Sequence, residues 1–472
     1  MSRPNVVLVV LDSVFAARCS GHGYDRETTP ELDALATEGL DYRNAYANGS
    51  WTVPTHGTMF TGRYPSEHGA HADHRQFDVP ADETLAGRLS TAGYDTVGLS
   101  TNPWVTSEFG FDAGFDTFES VRVPLPFPDA GHPRSILKEL GERGLTGFAK
   151  YRRFAEWAAD GNPVKRTVNA LSFRRDPDPH ADAAVLNDRV AAWLEDAGAD
   201  PFFMFLNYMD AHEPFSPPER VLREFRPDAC SADVEWNLPS LDATYDEATL
   251  DCLGDLYDAS LRYLDERIGE LFDTLDAHGI AEETLVVVTG DHGKALGRDG
   301  YVGAGVFLSD DLVRVPLVLD PPAAHVDAST SPETPVDHGD VYATILAQAG
   351  VDPDRHTDLL TDTPYGPERP GVFSETHGPH QDPSETTASV PLEGLTRVDW
   401  NGHSLVRDKA TGECELATTD GGGPSDDSET LHRELEHLEA LYLHGLDIPA
   451  RTHDEGAMDA DVRDQLQELG YL

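Results

Sequence analysis

The sequence predicts an α/β fold built on a doubly wound, mostly parallel sheet. Three observations carry that prediction. A Val-rich apolar run of strand length stands at Asn5–Leu11. Similar runs recur at residues 96–99, 202–207, 285–289 and 315–319. Helical patterns lie between them. Continuous apolar runs belong to strands covered on both faces, the mark of a parallel sheet. Strands that alternate with helices supply the cover on both sides. The 472 residues leave room for one large domain and a smaller appendage.

The elements follow in order. Pro30–Glu38 reads as a helix, with Thr29 as its cap, Pro30 at the first helical position and Gly39 as the stop. Residues 183–197 and 253–275 carry apolar residues at helical spacing. Between about 120 and 180 the pattern breaks into Pro-rich loops and short helices. Ten basic residues oppose four acidic ones from Arg134 to Arg175, inside a chain of net charge −50. Past about residue 370 the texture changes again. Short strands at 371–375, 395–399 and 404–407 surround a Gly/Ser/Asp loop at 421–428. A helix follows at 429–443 and a last short one at 460–469. The expected division is a catalytic α/β domain over 1–370, carrying the basic helical insert, and an α+β subdomain over 371–472. There are no internal repeats.

Composition narrows the class. The chain has 85 acidic and 35 basic residues, and five of the basic ones are lysines. Self-repulsion of that size opposes compaction at low ionic strength. At molar salt the Debye length shrinks to about 3 Å and screens it. The acid excess therefore reads as adaptation to a high-salt cytosol. Recurring apolar strands exclude an acidic disordered chain, and the acidic surface excludes general nucleic-acid binding. The four cysteines show neither metal-finger spacing nor a dense disulfide framework. No signal-like segment or membrane-length apolar run is present, so a soluble, cytoplasmic protein is expected, with no transmembrane segment.

Chemistry gathers at strand ends, where parallel sheets bind ligands. Asp12 ends the first strand. Asp291 and His292 end a later one, in Val-Val-Val-Thr-Gly-Asp-His-Gly. A lone Asp after a strand is usually a helix cap. Two carboxylates and an imidazole together suit one divalent ion: Ca, Mn, Mg or Zn. In Trp51-Thr52-Val53-Pro54-Thr55-His56, Pro54 fits a first helical turn and Gly62 a stop, so Thr52 falls just before a helix N-terminus. There, free amides and the dipole favour an anion, and a metal-bound hydroxyl becomes a nucleophile. Read locally, Thr52 and Thr55 are simple caps.

The order of these pieces resembles the sulfatase family of the alkaline phosphatase superfamily. The resemblance runs through Asn5 to Ser13, Thr28 to Ala36, Trp51 to Pro65, Ala92 to Thr96, Asn207 to Pro214, Asp291-His292-Gly293, Arg314 to Leu317, Asp340 to Leu346, and the ending Leu469-Gly470-Tyr471-Leu472. It implies an alkaline-phosphatase/sulfatase-like sheet, a metal at the strand ends and a covalent ester intermediate. By position, Asp12, Thr52, Asp291 and His292 are the implied metal ligands, Thr52 the nucleophile, and His212 a substrate contact. His56 or His212 would steady the substrate or protonate the leaving group. Asn102 is placed to donate a hydrogen bond to a developing oxyanion. Several positions depart from the family. Thr52 replaces the Cys or Ser that becomes formylglycine, and His56 replaces an Arg. Ser13 stands where many members have a second Asp. Gly303-Ala304-Gly305 stands where many supply His or Lys, and Lys294 where Glu is common. Thr at position 52 is similar to superfamily phosphodiesterases and phosphoglycerol transferases, which suggests a Thr nucleophile, and the acid excess adds a haloarchaeal-type member.

The expected function is metal-dependent hydrolysis, or transfer, at a small-molecule or glycan sulfate or phosphate ester. The rival is a binding protein that keeps the fold and has lost the chemistry through Ser13 and Ala304. The basic segment reads first as a solvated lid face, then as a funnel for anionic substrate, and third as a contact surface for an acidic membrane or glycan.

Overall fold

The computed structural model describes residues 3–121, 126–127, 130, 136, 147–159, 161–175, 183–228, 230, 234, 245–297, 300–322, 331–366, 371–379, 390–418 and 428–448. Its centre is a seven-stranded sheet. In spatial order the strands are Leu40–Asp41, Leu317–Asp320, Thr284–Gly290, Asn5–Leu11, Phe202–Tyr208, Asp95–Ser100 and Thr117–Ser120. The five from Thr284–Gly290 to Thr117–Ser120 run parallel. Alternate residues of Asn5–Leu11 point to opposite faces. Val6, Leu8 and Val10 enter one apolar core, with Val53, Phe60, Leu89 and Ile345 from the helices Thr52–Thr61, Leu85–Thr91 and His338–Gln348. Val7, Val9 and Leu11 enter the other, with Leu32, Leu186 and Leu264 from Pro30–Glu38, Ala183–Asp196 and Glu247–Ala277. Each such side chain contributes about 1.5–3 kcal/mol by leaving water, which is why the buried run from Val6 to Leu11 carries no polar residue before Asp12.

Three expectations need correction. The run at 315–319 is neither one strand nor parallel. It breaks at Pro316 into Arg314–Val315 and Leu317–Asp320, and the second piece lies antiparallel to Thr284–Gly290. Proline offers no N–H to a ladder, and the Pro316 carbonyl instead accepts from Gly290 N at 3.2 Å and Thr289 Oγ1 at 3.0 Å. The Thr29 side chain does not cap Pro30–Glu38. Asp265 of the long helix does so, accepting from Glu31 N at 2.9 Å and Leu32 N at 3.0 Å. That long helix spans 31 residues, starting at Glu247 under an Asp246 cap.

Near the C-terminus, Val372–Glu375, Leu395–Trp400, His403–Asp408 and Cys414–Thr418 form an antiparallel sheet, with Ser428–Gly445 as the helix beside it. Ser66 donates to Glu375 from N at 2.7 Å and from Oγ at 2.6 Å, which ties this sheet to the main body. The basic segment contributes two helices, Gly147–Ala159 and Pro163–Arg175. The predicted helix at 460–469, the terminal Leu-Gly-Tyr-Leu and residues 421–427 of the predicted loop lie outside the described residues. Among the described residues no helix is long and apolar enough to cross a membrane. Cys230 and Cys252 form a disulfide that sequence spacing did not signal.

Candidate active site at the strand ends

Register brings the two carboxylates together. Leu11 pairs with Gly290 in the parallel ladder, so the next residues, Asp12 and Asp291, leave the sheet side by side. Leu11 also pairs with Tyr208, and Ser100 with Asn207, which aligns the 101–102 and 209–213 loops to the same edge. Glycines flank Asp291 and His292 for a packing reason. A Cβ at Gly290 would collide with the Val14 carbonyl, and one at Gly293 with the Asp311 carbonyl.

Ser13 joins the carboxylates. Its backbone is left-handed, with φ 61°, a conformation that costs a residue with a side chain about 1–3 kcal/mol. That turn points Ser13 N at Asp291 Oδ1 (3.0 Å), while Ser13 Oγ donates to Asp12 Oδ1 (2.9 Å). Asp291 Oδ1 also accepts from His292 N at 2.7 Å. The His292 ring places Nδ1 2.7 Å from the Gly293 carbonyl. Nδ1 therefore carries the proton, and Nε2 presents a lone pair.

Asn102 and Thr52 complete the cluster. Asn102 Nδ2 donates to Asp12 Oδ2 at 2.5 Å and lies 3.4 Å from Thr52 Oγ1. Trp104 N donates to Asn102 Oδ1 at 2.7 Å, which fixes the direction of the amide. Thr52 Oγ1 is 3.4 Å from Asp12 Oδ2. Thr52 is the first residue of the helix Thr52–Thr61, one position further in than the sequence suggests, and Trp51 is the cap. Thr55 turns back onto its own helix, donating to the Trp51 and Thr52 carbonyls at 3.1 and 3.0 Å.

The electrostatics make this group a candidate cation site. Asp12, Asp291 and His292 offer ligand atoms within 4.8 Å of one another, all buried. Burial and the neighbouring carboxylate push Asp291 well above the ordinary carboxylate range, and burial raises Asp12 to about 6. Burial and the Lys294 ammonium hold His292 well below the usual imidazole range, so it is neutral. Asp291 Oδ2 and His292 Nε2 lie 3.5 Å apart, and neither has a hydrogen-bond partner among the described residues. A buried polar atom left so costs about 1–3 kcal/mol. A divalent ion between them would satisfy both, and the O,O,N donor set fits it.

The histidines divide. His56 packs edge-on against Phe60, Phe111 and Phe205, with Nδ1 2.9 Å from the Thr52 carbonyl and 3.8 Å from Asp291 Oδ2. Burial lowers its pKa to about 3, so at neutral pH it has no imidazolium proton to give a leaving group. It braces Thr52 from behind. His212 is fully buried beside the cluster, and its Nδ1 is 2.7 Å from the Glu213 carbonyl. Sequence reasoning passed over Lys294 and Glu213 as site residues. Both are 1% exposed, and their charged ends meet at 2.5 Å. The available signal was a lysine directly after the ligand motif in a chain with only five.

A family profile described as Sulfatase matches residues 4–351. The chain belongs to the sulfatase family. Among sulfatase relatives it is 25% identical to an uncharacterized sulfatase, YidJ of Escherichia coli, covering 75% of this chain and 69% of that one. It is 27% identical to the multifunctional alkaline phosphatase superfamily protein PehA of Trinickia caryophylli, covering 77% of each. The fold superposes on the phosphonate monoester hydrolase of Silicibacter pomeroyi with TM-score 0.62 and 19% identity, covering 93% and 94% of the two chains. The fold is thus shared with that structure over nearly the whole of both chains, and the family match makes this chain a sulfatase-family hydrolase.

Proposed function

We propose that the protein is a metal-dependent hydrolase, or transferase, that cleaves sulfate or phosphate esters through Thr52, with phosphorus favoured over sulfur. The supporting observation is the pair of buried atoms without a hydrogen-bond partner among the described residues, Asp291 Oδ2 and His292 Nε2, beside Asp12, whose Oδ2 lies 3.4 Å from the Thr52 hydroxyl. Asp12, Asp291 and His292 would hold the ion, with Thr52 Oγ turned toward it. The ion supplies charge for the substrate's non-bridging oxygens and eases ionisation of a bound hydroxyl.

The chain's own groups do the rest. Asn102 orients Thr52 Oγ against Asp12. The amides at the start of Thr52–Thr61 face the anion. In this reading Thr52 Oγ releases its proton to solvent and bonds to the ester's central atom as the leaving oxygen departs from the opposite side and takes up a proton, with His212, buried at the same strand ends, as the group assigned to meet it. Water or an acceptor alcohol then takes the group from Thr52. A sulfate on threonine lacks the aldehyde-hydrate route of a formylglycine, whereas a phosphoryl-threonine is resolved by a second in-line attack. Small-molecule or glycan esters, a high-salt cytoplasm suited to the −50 charge, and residues 371–472 as an appended subdomain complete the proposal.

The test is a screen of sulfate esters, phosphomonoesters and phosphodiesters in molar KCl with Ca, Mn, Mg and Zn. Metal-dependent turnover lost in Thr52→Ala supports the reading. Normal metal binding without turnover on any ester supports instead a binding protein on a sulfatase fold.

A further inference from the structure

The C-terminal sheet carries a cluster of ligating side chains that shares no residue with the strand-end site. Cys414, a free and exposed cysteine, begins Cys414–Thr418, the outer strand of that sheet, and pairs with Arg407 on the neighbouring strand. His432 and Glu436 stand four residues apart on the helix Ser428–Gly445, so they share one helix face. Cys414 Sγ lies 3.7 Å from His432 Nε2, which lies 3.6 Å from Glu436 Oε1. The three ligand atoms fall within 4.8 Å of one another. Zinc bonds of about 2.3 Å to sulfur and about 2.0–2.2 Å to nitrogen and oxygen, at tetrahedral angles, set neighbouring ligand atoms about 3.4–3.6 Å apart. The observed spacings need little adjustment to meet that.

We propose that Cys414, His432 and Glu436 form a metal site of their own, for a thiophilic divalent ion of the zinc type, with water as the fourth ligand. Thiolate and imidazole suit zinc, whereas Mg and Ca prefer oxygen alone. As the metal–sulfur bond forms, the Cys414 thiol releases its proton to solvent. A divalent ion with one thiolate and one carboxylate is then neutral. Arg407 NH2 lies 3.0 Å from Glu436 Oε1, but the guanidinium does not depend on that contact. It also donates to Glu439 Oε2 at 2.7 Å and to the Gly412 carbonyl at 3.1 Å, so Glu436 is free to turn to an ion. The ion would join the edge strand to the helix that follows it in sequence. The many exposed carboxylates of this acidic chain can attract divalent ions, but they bring no sulfur, so a sulfur-bound ion identifies this site alone.

The measurement is a cobalt titration of the full-length protein in molar KCl, followed by absorption. It is run under nitrogen without reductant, so that Cys230 and Cys252 stay joined. Co should produce a sulfur-to-cobalt charge-transfer band with the intense visible bands of a four-coordinate ion, and Zn should displace it. Cys414→Ser should lose the charge-transfer band. His432→Gln and Glu436→Gln keep the thiol, and each should weaken binding by about tenfold or more, since even an outer partner of a ligand is worth about 10–100-fold. Zn should also slow alkylation of Cys414 by a maleimide, and Mg should leave that rate unchanged. The strand-end cluster holds no sulfur, so its own success or failure in binding metal does not touch this band. The proposal is overturned by a parent without the band or by a band that persists in Cys414→Ser. It is equally overturned by an affinity that neither His432→Gln nor Glu436→Gln moves, since the metal would then be caught by a lone thiol.

Discussion

Asp12→Asn should make the metal-free protein more stable and abolish its stabilisation by metal. Asp12 is fully buried, and its carboxyl is raised from 3.8 to about 6, chiefly by desolvation. The folded state therefore holds the proton more tightly than the unfolded chain does. The resulting destabilisation is absent below pH 3.8, grows as pH rises, and is complete above about 6. A displacement of that size is worth about 3 kcal/mol. Asparagine has no charge to desolvate. Its oxygen can still accept from Asn102 while its NH2 turns to Ser13 Oγ, so the hydrogen bonds survive. Removing the charge also relieves Asp291, which Asp12 raises. With an unfolding entropy near 2.1 cal/mol/K per residue, 472 residues give a melting shift of about 3 °C upward. The assay is paired thermal unfolding in molar KCl with chelator, at one pH near 4 and one well above 6. The difference between variant and parent should widen with pH. Adding metal should then stabilise the parent, by about 2.7 kcal/mol at a hundredfold excess over its dissociation constant, and leave the variant unmoved. A metal-free variant less stable than the parent at the higher pH would refute the reasoning, since Asp12 would then be a structural hydrogen-bond acceptor without strain.

Three further outcomes are expected. Melting temperature should rise steeply from dilute to molar KCl, because 85 acidic residues oppose 35 basic ones. A flat response would reject the halophilic reading. Thiol titration in denaturant without reductant should find two free cysteines, Cys19 and Cys414, because Cys230 and Cys252 are joined. Four free thiols would mean that the Cys230–Cys252 bridge does not form in solution. Thr52→Ser should retain part of the turnover that Thr52→Ala loses. Thr55→Ala, whose hydroxyl only bonds its own helix, should cost about 0.5–1.5 kcal/mol of stability and little activity.

The central strands were legible because burial on both faces forces unbroken apolar runs, as in Asn5–Leu11. Asp12, Asp291 and His292 stood out as the polar residues that end such runs. The short edge piece Leu317–Asp320 was misread because direction is not written in apolarity, and Pro316 was the overlooked break. The Asp265 cap was invisible because it comes from another helix, 234 residues away from Glu31. Ser13 looked like a missing ligand, yet its left-handed turn lets its amide and hydroxyl bridge both carboxylates, which only three-dimensional geometry reveals. His56 read as a possible proton donor because a histidine's type says nothing of its burial among Phe60, Phe111 and Phe205. Lys294 stood out only as a departure from the family, and its pairing with Glu213 was missed because a buried ion pair between distant segments leaves no local pattern.

The most direct measurement traps the covalent intermediate. Metal-loaded protein is mixed with a turned-over phosphodiester, quenched in acid within one turnover, digested, and its peptides weighed. The peptide containing Thr52 should carry the added mass of the transferred group, located on Thr52 by fragmentation and missing in Thr52→Ala. Turnover at full rate with no modified peptide, or with the mass on another residue, would contradict Thr52 as the nucleophile.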